Sequence, residues 1–473
     1  MKKASTFESE IEGAVRDRRA KDAISLIRAL VRQDTHNLNL RVRGSEWLRR
    51  LGLYREALQI LQPELLAHAP KNTRTPAGRA LLQLAHIFNE LGANEFADHI
   101  ATGFIGSKPE DFRILGQIYA NQFKFQEAEE NYRKFLGGQF ESSYQGRLAR
   151  IAYADTCSAL GKENVAFDTI EDVLRETKEP LLTGICLQAK GEYLARSGKF
   201  KEADVELRSA STYFPQNEGS SDSALLWKWL GFVQAQLGEK QNALENFRRS
   251  EAIFLRLRTR PEAFLDVLRL KRLVRLVSDS DWKRALNYTG LSSEFRELLF
   301  LADSKIDSSF KLETSYRHIL QIDLSRGEYN LKGANRFGIT TEMKCIAILR
   351  LVENWGISAV RLQSNLWPDE PFSFLQFNKR LEAILHRIRH ALKFGIESKD
   401  SSLRLLECDQ ISLILGPTMR PSCLEGKEFI SRSQVENAYG VSPSAAKSYL
   451  RDWSSRKWIE IEQTRSKVKY KVL

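Results

Sequence analysis

The 473-residue sequence predicts a mainly α chain, a long stack of antiparallel helical hairpins followed by two small α+β domains. Three observations carry this expectation. An alanine in a constant context recurs about every 31–42 residues through the first three hundred positions, the length of one helix–turn–helix unit. From about residue 311 that repeat stops, and short alternating runs suited to strands appear between helices. The charge shifts as well, with about +8 of the formal +12 carried by residues 311–473.

Composition bounds the rest. A chain with 42% hydrophobic and 28% charged residues can bury more than one core, and its length suggests two to four domains. Twelve prolines, with no segment dominated by one residue type, argue against a long disordered tail. No stretch of eighteen apolar residues occurs, and the basic opening Met1-Lys2-Lys3 has no apolar segment behind it, so neither a membrane span nor a signal peptide is expected. Cys157, Cys186, Cys345, Cys408 and Cys423 are scattered, odd in number and never spaced C-x-x-C. That excludes a recognisable disulfide framework or zinc knuckle and suits a reducing cytoplasm.

The repeat alanines are Ala23, Ala57, Ala97, Ala128, Ala166, Ala203, Ala243 and, in a weaker context, Ala285. Gly52, Gly92, Gly161, Gly198 and Gly238 stand five residues before five of them. Such a glycine ends a first helix, and the alanine then lies in a second helix where the two backbones approach closely. One turn later comes a large apolar residue: Ile27, Leu61, Tyr132, Ile170, Leu207 and Phe247. The clearest unit runs Leu187, Gly191, Leu194, Gly198, Phe200, Ala203, Leu207, Ala210, Pro215, and the next repeats it with Trp227, Leu230, Gly231, Gly238, Ala243 and Phe247.

These units resemble tetratricopeptide repeats over roughly residues 10–290, so residues 1–300 are expected to form one repeat region. The irregular spacing near 40 suggests longer helices, as in the helical sensor regions of some bacterial regulators. The resemblance implies a superhelix with a concave surface for a protein, a peptide or a small effector. The repeat positions themselves are packing residues and not ligand contacts.

After residue 311, Tyr316 to Leu324 alternates as a strand and Arg326-Gly327-Glu328-Tyr329 reads as a turn. A helix capped by Thr340 or Thr341 follows through Leu351, then a shorter one carrying Val360, Leu362 and Leu366. Trp367-Pro368-Asp369-Glu370-Pro371 breaks the chain before a third helix from Phe374 to about Lys393. In it Leu381, Leu385, Ile388 and Leu392 face inward, which leaves Lys379, Arg380, Ala383, His386, Arg387 and His390 outside. Two strand-like runs, Ser402–Glu407 and Gln410–Leu415, are expected to close the domain as a hairpin.

Leu366-Trp367-Pro368-Asp369-Glu370 with the later Leu385-His386-Arg387-Ile388-Arg389-His390-Ala391-Leu392 resembles the OmpR-type winged helix, in the form found in SARP and AfsR-class transcription activators. The resemblance spans about residues 313–415, within an expected domain of residues 311–415. It implies that the third helix enters the DNA major groove, with Arg380, Ala383 and Arg387 facing bases and Lys379, His386 and His390 nearer phosphates. It also implies double-stranded DNA and RNA polymerase as partners. The sequence departs from the family in having Cys408-Asp409-Gln410-Ile411 where a Gly-Tyr wing signature is usual, and in placing this domain after the helical repeats.

A second unit occupies about residues 425–473. Ser431 to Tyr439 reads as a capped helix ended by Gly440, and Ser442 caps a helix that begins at Pro443. Ala446, Leu450 and Trp453 would pack inside, leaving Ser444, Ala445, Lys447, Ser448 and Arg451 outside. Trp458–Glu462 and Lys467–Val472 follow as a hairpin with Arg465, Lys467 and Lys469 at its tip and edge. This resembles the common bacterial winged helix with its Gly-Val-Ser-x-x-x-Ala turn, with a first helix that is short or absent.

No phosphate-binding G-x-x-x-x-G-K-[ST], H-E-x-x-H, G-x-S-x-G or kinase signature occurs, so catalysis has no visible seat and no cofactor is implied. His386 and His390 stand at i, i+4 without a third ligand fixed by a motif, and no metal is expected there. The expectation is a non-enzymatic cytoplasmic transcription regulator. The alternative is a scaffold whose winged helices bind proteins, distinguishable by a shallower salt dependence.

Overall fold

The computed structural model describes residues 4–16, 20–33, 37–51, 53–61, 69–72, 74–137, 143–214, 220–257, 261–287, 293–303, 310–312, 320–353, 356–368, 370, 374–399, 402–406, 408–415, 418–463 and 468–473. The fold is mainly α with small strand-containing sheets near its C-terminal end. Fourteen helices pair as successive hairpins: α1 (Ala4–Arg16) with α2 (Ala20–Gln33), α3 (Leu38–Arg50) with α4 (Tyr54–Leu61), α5 (Pro76–Glu90) with α6 (Asn94–Ala101), α7 (Pro109–Asn121) with α8 (Phe125–Leu136), α9 (Tyr144–Ala159) with α10 (Glu163–Glu176), α11 (Pro180–Arg196) with α12 (Phe200–Ser211), and α13 (Ser221–Gln236) with α14 (Lys240–Leu257). There follow α15 (Pro261–Leu273), α16 (Asp279–Leu286), α17 (Ser293–Ala302), β1 (Phe310–Leu312), β2 (Leu320–Asp323), β3 (Glu328–Leu331), β4 (Ala334–Phe337), α18 (Thr341–Val352), β5 (Ile357–Ser358), α19 (Ala359–Leu366) and α20 (Phe374–His390). The chain ends with β6 (Ile396–Lys399), β7 (Ser402–Leu405), β8 (Ile411–Leu415), β9 (Phe429–Ile430), α21 (Arg432–Tyr439), α22 (Pro443–Ser455), β10 (Ile459–Gln463) and β11 (Val468–Val472).

Two compact units emerge: residues 1–278, 290–303 and 357–380, and residues 279–289, 304–356 and 381–473. In the first, local chemistry starts each hairpin. Proline occupies the first turn of α5, α7 and α11, where its missing N–H costs no bond, and Thr75, Ser143 and Ser220 accept the orphan amides of Gly78, Gly146 and Ser223. Gly92, Gly161, Gly198 and Gly238 all take positive φ between +69° and +87°, the left-handed turn that ends a first helix, while Gly52 lies outside the described residues. All eight repeat alanines are fully buried, and so are the six large residues one turn later. At Gly191 a Cβ would meet Leu207 Cγ at 2.6 Å, and at Gly116 the Tyr132 ring at 2.9 Å. The small residue of the first helix thus receives the large residue of the second.

Contacts between neighbouring hairpins run from each second helix to the next first helix, and from first helix to first helix along α3, α5, α7, α9, α11, α13 and α15. The first helices therefore form one continuous row along the stack. Ala285 is fully buried, yet its helix α16 groups with the second unit, where Arg284 pairs with Glu353 at 2.8 Å. The repeat thus does not continue through α16.

The first unit also takes in α19, which the sequence suggests as an ordinary member of the first small domain. Arg361 and Glu262, both almost fully buried, form an ion pair at 3.6 Å, and Asn94 Nδ2 donates to Glu262 Oε1 at 2.8 Å. Ser364 Oγ donates to Glu95 at 2.9 Å. These bonds join α19 to the start of α6 and the start of α15.

In the second unit a five-stranded sheet has the order β1-β8-β2-β3-β4, antiparallel except for the parallel pair β2–β8. Leu320 and Ile322 pair with Ile411 and Leu413, and all four are fully buried. Here the structure corrects the sequence reading in two places. The turn covers Leu324–Gly327, and Glu328 and Tyr329 already belong to β3. The hairpin after α20 is β6–β7, with Ile396 opposite Leu405, and β8 is no hairpin partner of β7. The reason is that Ile411, Ser412 and Leu413 are buried in succession, as a central strand flanked on both edges must be. Arg350 of α18 donates to the Ile411 carbonyl at 3.1 Å and ties the helix to that strand. A second sheet, β10-β11-β9, follows α22.

Candidate nucleic-acid interface

Two helices present the residues expected at DNA. On α20, Leu381, Ile384, Leu385 and Ile388 are buried, while Leu392 is half-buried beyond the helix end. Lys379, Ala383, His386, Arg387 and His390 are exposed, and Arg380 is half-buried. The helical period thus produces a basic outer stripe, as the sequence indicates.

The two arginines expected at bases are each engaged by a carboxylate. Arg380 forks onto Glu370, with Nη2 donating to Oε1 at 3.0 Å, and its guanidinium lies 4.5 Å from the centre of the Trp367 ring. The hydrogen bond from Arg380, together with its charge, holds the Glu370 carboxyl below its ordinary range. Arg387 Nε donates to Glu342 Oε1 at 2.6 Å. Burial pushes the Glu342 carboxyl up, but bonds from its own backbone amide, Arg387 and Thr340 outweigh it and leave it below its ordinary range. His386 and His390 lie ring to ring at 4.3 Å, and among the described residues no group of three His, Cys, Asp or Glu side chains could hold a metal.

The α21–α22 pair is built by capping. Ser431 and Gln434 form a reciprocal capping box, Gly440 turns the chain at φ +56°, and Ser442 Oγ accepts the Ala445 amide with Pro443 in the first turn. Ala446, Leu450 and Trp453 are buried, which leaves Ser444, Lys447, Ser448 and Arg451 exposed on the opposite face. Ala445, expected outside, is half-buried. Among the described residues Lys379, Lys447 and Arg451 make no ion pair, in contrast to Arg380 and Arg387. The hairpin β10–β11 follows, with Lys469 opposite Glu462 in its register; the Lys469 side chain, Arg465 and Lys467 lie outside the described residues.

The sequence gives no hint of what supports this pair from behind. Phe337 at the end of β4 packs its ring against Tyr439, Tyr449 and Trp453, and Arg336 donates to the carbonyls of Tyr439 and Gly440. Both residues are more than a hundred positions away from their partners, beyond the reach of any local pattern.

No protein-family model matches the chain, and no curated protein matches it in sequence. Among solved structures it is similar to a tetratricopeptide repeat protein from Parabacteroides merdae ATCC 43184, with 18% identity over 56% of this chain and 98% of that one and a TM-score of 0.38. It is also similar to the apo form of the quorum sensor NprR from B. thuringiensis, with 13% identity, 64% and 94% coverage and a TM-score of 0.39. For yeast Tom70 the figures are 10% identity, 95% and 90% coverage and a TM-score of 0.20.

Proposed function

We propose that the chain is a cytoplasmic DNA-binding transcription regulator. Its hairpin stack serves as a sensor or docking surface for a protein, a peptide or a small effector, and its C-terminal helices are the DNA readers. One observation carries the reading. The α21–Gly440–α22 pair buries Ala446, Leu450 and Trp453 and offers Ser444, Lys447, Ser448 and Arg451 on one face, with an antiparallel hairpin directly after it. A helix of that width enters a major groove, its cations neutralise phosphates, and a following hairpin approaches the adjacent backbone.

On α20, Lys379, His386 and His390 lie toward phosphates. Glu370 and Glu342 hold Arg380 and Arg387 until a base edge or phosphate replaces the carboxylate. Such a regulator acts by recruiting or blocking RNA polymerase.

The test is a pull-down of genomic DNA fragments by the full chain, with salt raised from about 50 to 200 mM. Expected is enrichment of a few fragments, with log affinity falling linearly against log salt by about 0.9 per phosphate contacted. Lys447→Ala with Arg451→Ala weakens binding, and Arg380→Ala with Arg387→Ala relaxes sequence preference. Weak, sequence-blind binding that vanishes at physiological salt would replace this reading with that of a protein scaffold.

A further inference from the structure

Among the described residues no helix directly precedes the α21–α22 pair to complete its core. Ahead of it the described chain offers only a single 3-10 turn at Ser422–Leu424 and the two-residue strand β9. The missing wall is supplied by the other sheet. Phe337 inserts its ring at 4.9 Å from that of Tyr449 and 5.2 Å from that of Trp453, and Tyr449 Oη donates to the Phe337 carbonyl at 2.9 Å. Arg336 donates to both carbonyls at the end of α21, and a Cβ at Gly440 would stand 2.8 Å from its Nη1. On β3, Glu328 accepts from Tyr439 Oη at 2.5 Å and from the Ser422 amide at 2.7 Å.

The same sheet holds the other reader. Arg389 on α20 bonds the Ile396 carbonyl on β6, β6 pairs with β7, β7 packs against α18, and Arg350 on α18 bonds the Ile411 carbonyl on β8. From there backbone ladders run through β2 and β3 to β4. All these residues, with α20 from Leu381 onward, belong to one compact unit.

We infer that the two readers are one two-headed body, in which the β3–β4 hairpin replaces the absent helix and Arg336 and Phe337 are the positioning residues of α22. Its partner is a DNA duplex that presents two contact sites at one fixed separation and helical phase. Two tethered but independent modules would accept a range of separations instead. This deepens the reading above and rests on it for the identity of the partner, while the rigidity itself needs no DNA to be measured.

The experiment uses the full chain and has two arms. Labels introduced at the exposed positions Ala383 and Lys447 report the distance distribution between α20 and α22 without DNA. One narrow population is expected, broadened by Arg336→Ala and recovered by Arg336→Lys, which keeps a donor for the two carbonyls. A broad distribution in the otherwise unaltered chain, or no change in Arg336→Ala, overturns the inference.

In the second arm a random-sequence duplex library is selected by the unlabelled chain. Selected duplexes should carry two motifs at a single spacing, and inserting half a helical turn between them should reduce affinity about 100-fold, toward that of one head alone. Motifs at variable spacing with unchanged affinity overturn the inference. If no duplex is enriched, the proposed function fails, and the label distances still decide whether the two heads are fixed.

Discussion

Asp155 and Tyr193 illustrate how single side chains on the first-helix row tune stability. Tyr193 donates to Asp155 Oδ1 at 2.6 Å. Desolvation by the neighbouring helices and the charge of Glu192 push the Asp155 carboxyl up to about 7, against the opposing Tyr193 bond and the nearby Arg196 and Lys228. A folded value above the ordinary 3.8 means that the folded state binds the proton more tightly. Its contribution is therefore complete below about pH 4 and is lost as pH rises through about 7. Melting curves of Asp155→Asn should show less fall in stability across that window than the unaltered chain. Because Asp155 is exposed, solvent screening leaves only part of the full linkage, and parallel curves would refute the assignment.

Asp266 lies on the same row with the opposite sign. Burial alone would raise its carboxyl, but Arg269 and Lys228 hold it below its ordinary range. Its contribution is present above the ordinary carboxylate range and disappears as pH falls below it. The Arg361–Glu262 pair is a third case. Arg361→Ala leaves a buried carboxylate without its cation and should cost about 3–5 kcal/mol, measured as faster amide exchange in α19 and a lower denaturant midpoint. Exchanging the two charges, Arg361→Glu with Glu262→Arg, should recover part of the loss.

At the scale of elements, the hairpins were legible because their determinants are local. The glycine–alanine–large residue triplet fixes turn, approach and filler within about ten residues, and each described member sits where that rule puts it. Gly191→Ala should cost about 1–3 kcal/mol, since the added methyl meets the Leu207 side chain and the helix backbone has little room to shift. Gly198→Ala has open space around it and should cost only about 1 kcal/mol of left-handed strain. Thermal melts of the two variants separate packing from strain, and equal losses would contradict the contact geometry. The caps at Thr340, Ser431 and Ser442 were similarly readable, since a hydroxyl before a helical period has a local mechanism.

Strand pairing was less readable. β7 and β8 look alike in sequence, both short and apolar, and nothing within either says which sheet it joins. Ile411 and Leu413 go to the centre of the larger sheet because β1 and β2 cover both edges, and only the folded chain brings those edges there.

At the scale of the whole molecule, the sequence determined the helical stack, the basic C-terminal third, the outward faces of α20 and α22 and the turn at Gly440. Each depends on periodicity or on a short motif, which act over one or two helical turns. Tertiary structure alone decided that Arg380 and Arg387 are held by Glu370 and Glu342, that α19 is joined to the hairpin stack through Arg361 and Glu262, and that Arg336 and Phe337 complete the core behind α22. Those contacts link residues from ten to more than a hundred positions apart. Their energy comes from burial and charge pairing, which depend on what the fold places alongside and leave no period in the chain.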